Sequence, residues 1–123
     1  FDGAHTPESL QEILQTLPPQ PTCVLFGTLQ DKRISQMLRL FHSYPHLQLY
    51  LTTAPSPRGA PSHQLAKVAN SLQLPFQEIP NPNNACKKLM EKCRKHQLPL
   101  LITGSIRMRK TIDNVWKTLP RRK

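Results

Sequence analysis

Short apolar runs, each stopped by a glycine, a proline or a polar turn, alternate along this chain with longer stretches whose apolar residues recur every three or four positions. The runs are Thr22–Phe26, Leu47–Thr52, Phe76–Ile79 and Leu98–Thr103. Each is too short for a helix, and Thr22-Cys23-Val24-Leu25-Phe26 has no polar alternation, the mark of a strand buried on both faces. Helical spacing fills the intervals. Leu10, Ile13, Leu14 and Leu17 follow Thr6-Pro7, which reads as an N-cap with proline at the first helical position. Ile34, Met37, Leu38, Leu40 and Phe41 form a second set, with Asp31 near its start and Tyr44-Pro45 at its end. Leu65, Val68, Ala69 and Leu72 form a third behind Ser62 as cap, and a fourth runs from about Ala85 to His96 with Leu89 and Met90 inward. Ile106, Ile112, Val115 and Trp116 mark the last. Pro75 and Pro80 bracket the third strand and assign it to an edge. The alternation predicts a three-layer α/β/α sandwich around a mostly parallel sheet, one domain over residues 1–123 without internal repeats.

Composition sets the bounds. A chain of 123 residues suffices for one core, burying roughly two-thirds of the surface its unfolded form exposes. With 37% hydrophobic and 20% charged residues it lacks the bias of a disordered segment. No apolar run approaches the ~18 residues of a membrane span, and no basic segment with a hydrophobic signal core opens the chain. A start at Phe1 reads as a fragment or processed piece, which leaves an upstream signal open. Cys23, Cys86 and Cys93 are an odd set at no zinc-ligand spacing and read as reduced structural thiols, which points to the cytoplasm. The formal charge of +10 is a field that draws nucleotides, acidic substrates or nucleic acid. Lys87, Lys88, Lys92, Arg94 and Lys95, then Arg107, Arg109 and Lys110, then the tail Arg121-Arg122-Lys123 supply much of it. Solvated helix faces account for most of these, and the scarcity of interleaved aromatics argues against specific nucleic-acid binding.

In open parallel sheets ligands gather at the carboxyl ends of the strands. Four stretches fall there. Asp2 and His5 sit three apart around Gly3 at a helix N-terminus, a place suited to anions, although capping alone also explains an Asp and a Thr in that position. The others are the Gly27–Asp31 loop, the loop from Thr53 to Gly59 stiffened by nearby prolines, and Thr103-Gly104-Ser105. Their convergence marks a functional edge without naming its chemistry.

The same stretches carry a resemblance. Asp2-Gly3-Ala4-His5-Thr6-Pro7 resembles the DGAHNP-type motif that opens the C-terminal domain of folylpolyglutamate and dihydrofolate synthases, within the Mur ligase superfamily. Leu25-Phe26-Gly27-Thr28-Leu29-Gln30-Asp31-Lys32 is similar to the family's LFG-x-x-KDK stretch. Leu51-Thr52-Thr53-Ala54-Pro55-Ser56-Pro57-Arg58-Gly59 is similar to LTT-x-x-x-PRA, and Ile102-Thr103-Gly104-Ser105 to VTGS. Four motifs in order cover nearly the whole chain. The resemblance implies a Rossmann-like sheet of the Mur ligase C-terminal type, and an ATP-dependent ligase whose nucleotide lies between a central P-loop domain and this one. It implies ATP and Mg²⁺ as cofactors, both held mainly by that central domain. A pteroate or folate carboxylate becomes an acyl phosphate, and the amine of L-glutamate attacks it to form an amide. By this likeness Asp2 and His5 meet the nucleotide, His5 near the phosphates as the catalytic candidate, and Ser105 binds glutamate. Lys32 and Arg58 are candidate phosphate or carboxylate contacts, and no residue is a metal ligand.

The departures are specific. Thr6 stands in place of asparagine, a change also common in peptidoglycan-type members that blurs the branch, while Gln30 in place of lysine and Arg107-Met108-Arg109 in place of aliphatic and aromatic residues point to a weakened or altered substrate site. The 123 residues contain no G-x-x-x-x-G-K-[ST], so nothing in them cradles ATP phosphates in that manner, and this piece is expected to be inactive alone. Two readings follow: the C-terminal domain of an amide ligase, or a stand-alone binding module whose basic surface serves nucleic acid or an acidic partner.

Overall fold

The computed structural model describes residues 1, 3–105 and 107–118, with side chains as far as Val115. Its elements alternate without exception: α1 (Pro7–Thr16), β1 (Thr22–Phe26), α2 (Ile34–Arg39) running into a 3₁₀ turn (Leu40–Ser43), β2 (Leu47–Leu51), α3 (Ser62–Ser71), β3 (Gln77–Glu78), α4 (Pro82–His96), β4 (Leu100–Thr103) and α5 (Met108–Thr118). The four strands form one sheet in the order β3-β2-β1-β4, with every pair parallel. Register aligns Phe26 with Leu51 on one side and with Thr103 on the other, so the carboxyl ends of β1, β2 and β4 are level.

Alternation of side chains along each strand divides the core into two. Val24, Phe26, Leu49, Leu51 and Leu101 pack with Leu10 and Leu14 of α1, Met37 and Leu38 of α2, and Leu65 and Ala69 of α3. Cys23, Leu25, Tyr50 and Ile102 face the other way, onto Ala85, Cys86, Leu89 and Cys93 of α4 and Met108 and Val115 of α5. This is the three-layer sandwich. Five consecutive buried residues in β1 are what its double-sided position requires.

Several boundaries differ from the sequence expectation, each for a local reason. Asp31 does not open the second helix. Its carboxylate is paired with Arg58, and α2 starts at Ile34 behind Arg33, which gives no side-chain cap. Ser62 is not the cap of α3 but its first residue. Pro61 holds the cap position, Thr53 Oγ1 accepts the Ser62 N–H at 2.9 Å, and Ser62 Oγ donates to Glu78 Oε2 at 2.6 Å. The edge strand keeps two paired residues, beyond which Ile79 N donates to Leu51 O at 2.9 Å and Pro80 O accepts from Thr53 N at 3.3 Å outside the regular ladder. In contrast α4 begins three residues early, since Asn81 caps it through the Asn84 N–H at 3.0 Å and Pro82 suits its first turn. β4 starts at Leu100 because Gln97, at φ 55°, closes α4 and sends the Leu98 N–H back to Cys93 O. The last helix runs from Met108, while Ile106 and the Trp116 side chain lie outside the described residues.

Candidate functional site

The chain moves from β1 to β2 to β3 in one direction and then crosses back to β4 on the far side of β1. The reversal falls between β1 and β4, and the carboxyl ends of strands at such a switch point are where open parallel sheets bind ligands. Gly27-Thr28 leaves β1 there and Gly104-Ser105 leaves β4.

Backbone hydrogen bonds tie the four expected stretches to this edge. Gly27 N donates to Thr103 O at 3.2 Å, and Gly104 N donates to Ala4 O at 3.1 Å, which brings the segment before α1 beside the end of β4. Gln30 N donates to Arg58 O and Ala60 N to Thr28 O, both at 2.9 Å, around an antiparallel bridge between Leu29 and Gly59. Gly104 has φ 106°, and a Cβ there would stand 2.5 Å from Gly27 O, so the close approach of the two strand ends requires glycine.

The side chains are placed as follows. Asp2 lies outside the described residues. His5 is exposed, and its Nδ1 lies 3.3 Å from Gly3 O; the carbonyl only accepts, so Nδ1 is the donor in this contact and Nε2 points to no partner among the described residues. Behind it α1 is closed by a capping box in which Thr6 Oγ1 accepts from Ser9 N at 3.1 Å and Ser9 Oγ from Thr6 N at 3.2 Å. Thr6 therefore has its hydroxyl committed to the helix. Ser105 is buried, its Oγ accepts from Arg107 N at 3.1 Å, and its carbonyl accepts from Met108 N at 3.1 Å. It shapes the entry to α5, and among the described residues its hydroxyl accepts a hydrogen bond without donating one. Lys32 is half-buried and forms no ion pair among the described residues, and Arg58 is paired with Asp31.

The structure adds residues that sequence reasoning did not single out. The hydroxyls of Thr28 and Thr103, at the ends of β1 and β4, are fully buried and have no hydrogen-bond partner among the described residues. Buried hydroxyls normally find one. Asp31 is the other addition, since its helix-start position concealed a contact 27 residues away. Glu8 pairs with Arg33 at 2.7 Å; its carboxyl is held below the usual range, first by a backbone hydrogen bond and then by Arg33. The exposed cations at the edge thus include two answered by carboxylates, with Lys32 unanswered.

A groove of about 340 Å³ opens at the other end of β2, lined by residues that include Leu47, Tyr50, Phe76 and Lys92. Its one ammonium is already engaged, with Lys92 Nζ 2.6 Å from Tyr50 Oη, a bond that raises the Lys92 pKa. Among the described residues no cluster of three or more His, Cys, Asp or Glu side chains could hold a metal ion, and no helix is long and apolar enough to cross a membrane.

Comparison with known proteins agrees with this geometry. Residues 1–106 match the family described as Mur ligase, glutamate ligase domain. No curated protein matches the sequence. Among solved structures, Mycobacterium tuberculosis folylpolyglutamate synthase complexed with ADP superposes with a TM-score of 0.79 at 20% identity, over 98% of this chain and 30% of that one. Escherichia coli FolC in complex with ADP gives 0.76 at 23% identity, over 96% and 28%. The Yersinia pestis bifunctional folylpolyglutamate synthase/dihydrofolate synthase complexed with AMPPNP and Mn gives 0.76 at 20%, over 97% and 28%. These likenesses show the fold, and the chain spans under a third of each relative's length.

Proposed function

Because this chain belongs to the family of Mur ligase glutamate-ligase domains, we propose that it is the C-terminal domain of an ATP-dependent amide ligase that adds L-glutamate to dihydropteroate or a folate. It works with a P-loop domain that holds most of the nucleotide. The observation that carries the reading is the tethering of four separate motif stretches to the switch-point edge, with Gly104 N on Ala4 O and Gln30 N on Arg58 O at its two ends.

The residues present suit anions. Lys32, the guanidinium of Arg58 and a histidine at a helix N-terminus offer donors to phosphate or carboxylate oxygens. Magnesium ATP would supply the phosphoryl group that activates a substrate carboxylate. This chain's part is to bind and orient. Asp2 is assigned to the ribose, where a carboxylate accepts from hydroxyls, and His5 to the phosphates, where an N–H or imidazolium steadies developing charge. Ser105 donates its hydroxyl proton to the amino acid. Arg58 and Lys32 fix anionic groups of the substrates. The related M. tuberculosis and E. coli structures contain ADP, and a bifunctional folylpolyglutamate synthase/dihydrofolate synthase structure contains Mn, AMPPNP and L-glutamate, which supports nucleotide, divalent metal and amino acid as the ligand set.

The test uses the protein joined to its P-loop domain, supplied with ATP, L-glutamate, and dihydropteroate or a folate. Mass spectrometry is expected to find an acceptor heavier by one glutamyl residue. No amide product with either acceptor overturns the folate reading, and product with a different carboxylate acceptor moves it to another branch of the family.

A further inference from the structure

Asp31 belongs to no capping contact, and its partner lies across a loop-to-loop boundary. We propose that Asp31 is a positioning residue for Arg58, holding the guanidinium at the carboxyl edge of the sheet so that its remaining N–H donors meet a phosphate or carboxylate of the substrate. The role rests on the reading of this edge as a ligase site.

Three observations lead there. First, the two loops are already joined without the ion pair. Gln30 N on Arg58 O, Ala60 N on Thr28 O and the Leu29–Gly59 bridge zip their backbones together, and Ser56 Oγ accepts from Arg58 N at 3.2 Å. The Asp31 carboxylate is therefore not needed to close the loops, and what it adds is control of the guanidinium. Second, among the described residues only Nη2 of Arg58 is engaged, by Asp31 Oδ2, and the side chain is 65% exposed. A guanidinium has five N–H groups in a rigid plane, so its other donors remain for a planar carboxylate or a phosphate. Third, Lys32 follows Asp31 directly and has no ion-pair partner among the described residues. Asp31, Lys32 and Arg58 together carry a net positive charge that an anion can answer.

Asp31 also repels an anion, and the sign of its effect must be decided. With Asp31 54% and Arg58 65% exposed, water and salt screen that repulsion strongly. The loss of order in a long side chain is not screened. Preorganisation prevails, and removing the carboxylate weakens anion binding.

The experiment has two arms. In the ¹⁵N-labelled 123-residue chain, the Arg58 Nε–Hε heteronuclear NOE is expected to report an ordered side chain in wild type and in Asp31→Glu, and a mobile one in Asp31→Asn. Equal order in wild type and Asp31→Asn overturns the proposal whatever the protein's activity. In the protein joined to its P-loop domain, Asp31→Asn is expected to raise the KM of one anionic substrate roughly threefold to tenfold with a much smaller change in kcat. It should add nothing in an Arg58→Ala background. An unchanged or lowered KM, or effects that multiply with those of Arg58→Ala, overturns it. If the wild-type protein makes no amide with any acceptor, the ligase reading fails, and the NOE arm still decides whether Asp31 holds Arg58.

Discussion

At the scale of single residues, the edge depends on close approach and on thiols kept neutral. Gly104 combines a left-handed backbone with contact against Gly27 O. Gly104→Ala is expected to cost about 1–3 kcal/mol from the forced backbone conformation alone, and more from the clash, read as a lower denaturation midpoint at unchanged slope. The cysteines are all free and buried. Burial pushes the Cys86 thiol up to about 11, and burial together with the neighbouring Cys23 thiol pushes Cys93 up to about 12. A group whose pKa is raised on folding stabilises fully below its unfolded value and loses that contribution as pH climbs through the folded one. Stability measured by urea is therefore expected to hold to about the ordinary thiol value of 9.0 and to fall above it, and a Cys86→Ser, Cys93→Ser variant should fall less. Reduced, structural cysteines were legible from spacing alone. Asp31 was not, because an acidic residue before an apolar helical pattern has an ordinary explanation as a helix start, and its true partner is set by tertiary structure.

At the scale of elements, every strand and helix was legible in kind, because period and length separate the two classes. The ends were less so. Pro82 suits the first turn of α4 and let it begin behind Asn81, while β3 kept two paired residues between Pro75 and Pro80. Ser62 read as a cap because serine before an apolar pattern usually is one, but the preceding turn let Thr53 take that task. The entry to α1 was read correctly, and it matters most for the site because it fixes the segment carrying His5. Thr6→Ala removes the half of the capping box in which Thr6 Oγ1 accepts from Ser9 N, while the Thr6 N–H to Ser9 Oγ half uses the backbone and survives. It is expected to cost about 1 kcal/mol of global stability and to speed amide exchange at Ser9 and Leu10, with α4 and β4 unaffected.

At the scale of the whole molecule, the parallel sheet places its reversal between β1 and β4, and four stretches separated by some hundred residues meet at that edge. The order of motifs let the fold and the edge be read in advance, whereas the orphan hydroxyls of Thr28 and Thr103 depend on packing that no local pattern encodes. Charge is distributed unevenly between the layers. Lys87, Lys88, Arg94 and Lys95 on α4 and Arg109 and Lys110 on α5 are exposed on one face, and of these only Arg109 has a carboxylate near it among the described residues, Asp113 at 4.0 Å. These cations make a field that attracts anions without forming a site of their own. The central claim is that this edge is half of an active site, with His5 acting on phosphate held by the other half. Its most direct measurement is glutamate-dependent phosphate release by the protein joined to its P-loop domain, for wild type and His5→Ala. Loss of an electrostatic donor predicts a fall of roughly a hundredfold in kcat, with the fold intact by circular dichroism. Equal rates for the two proteins would contradict the claim.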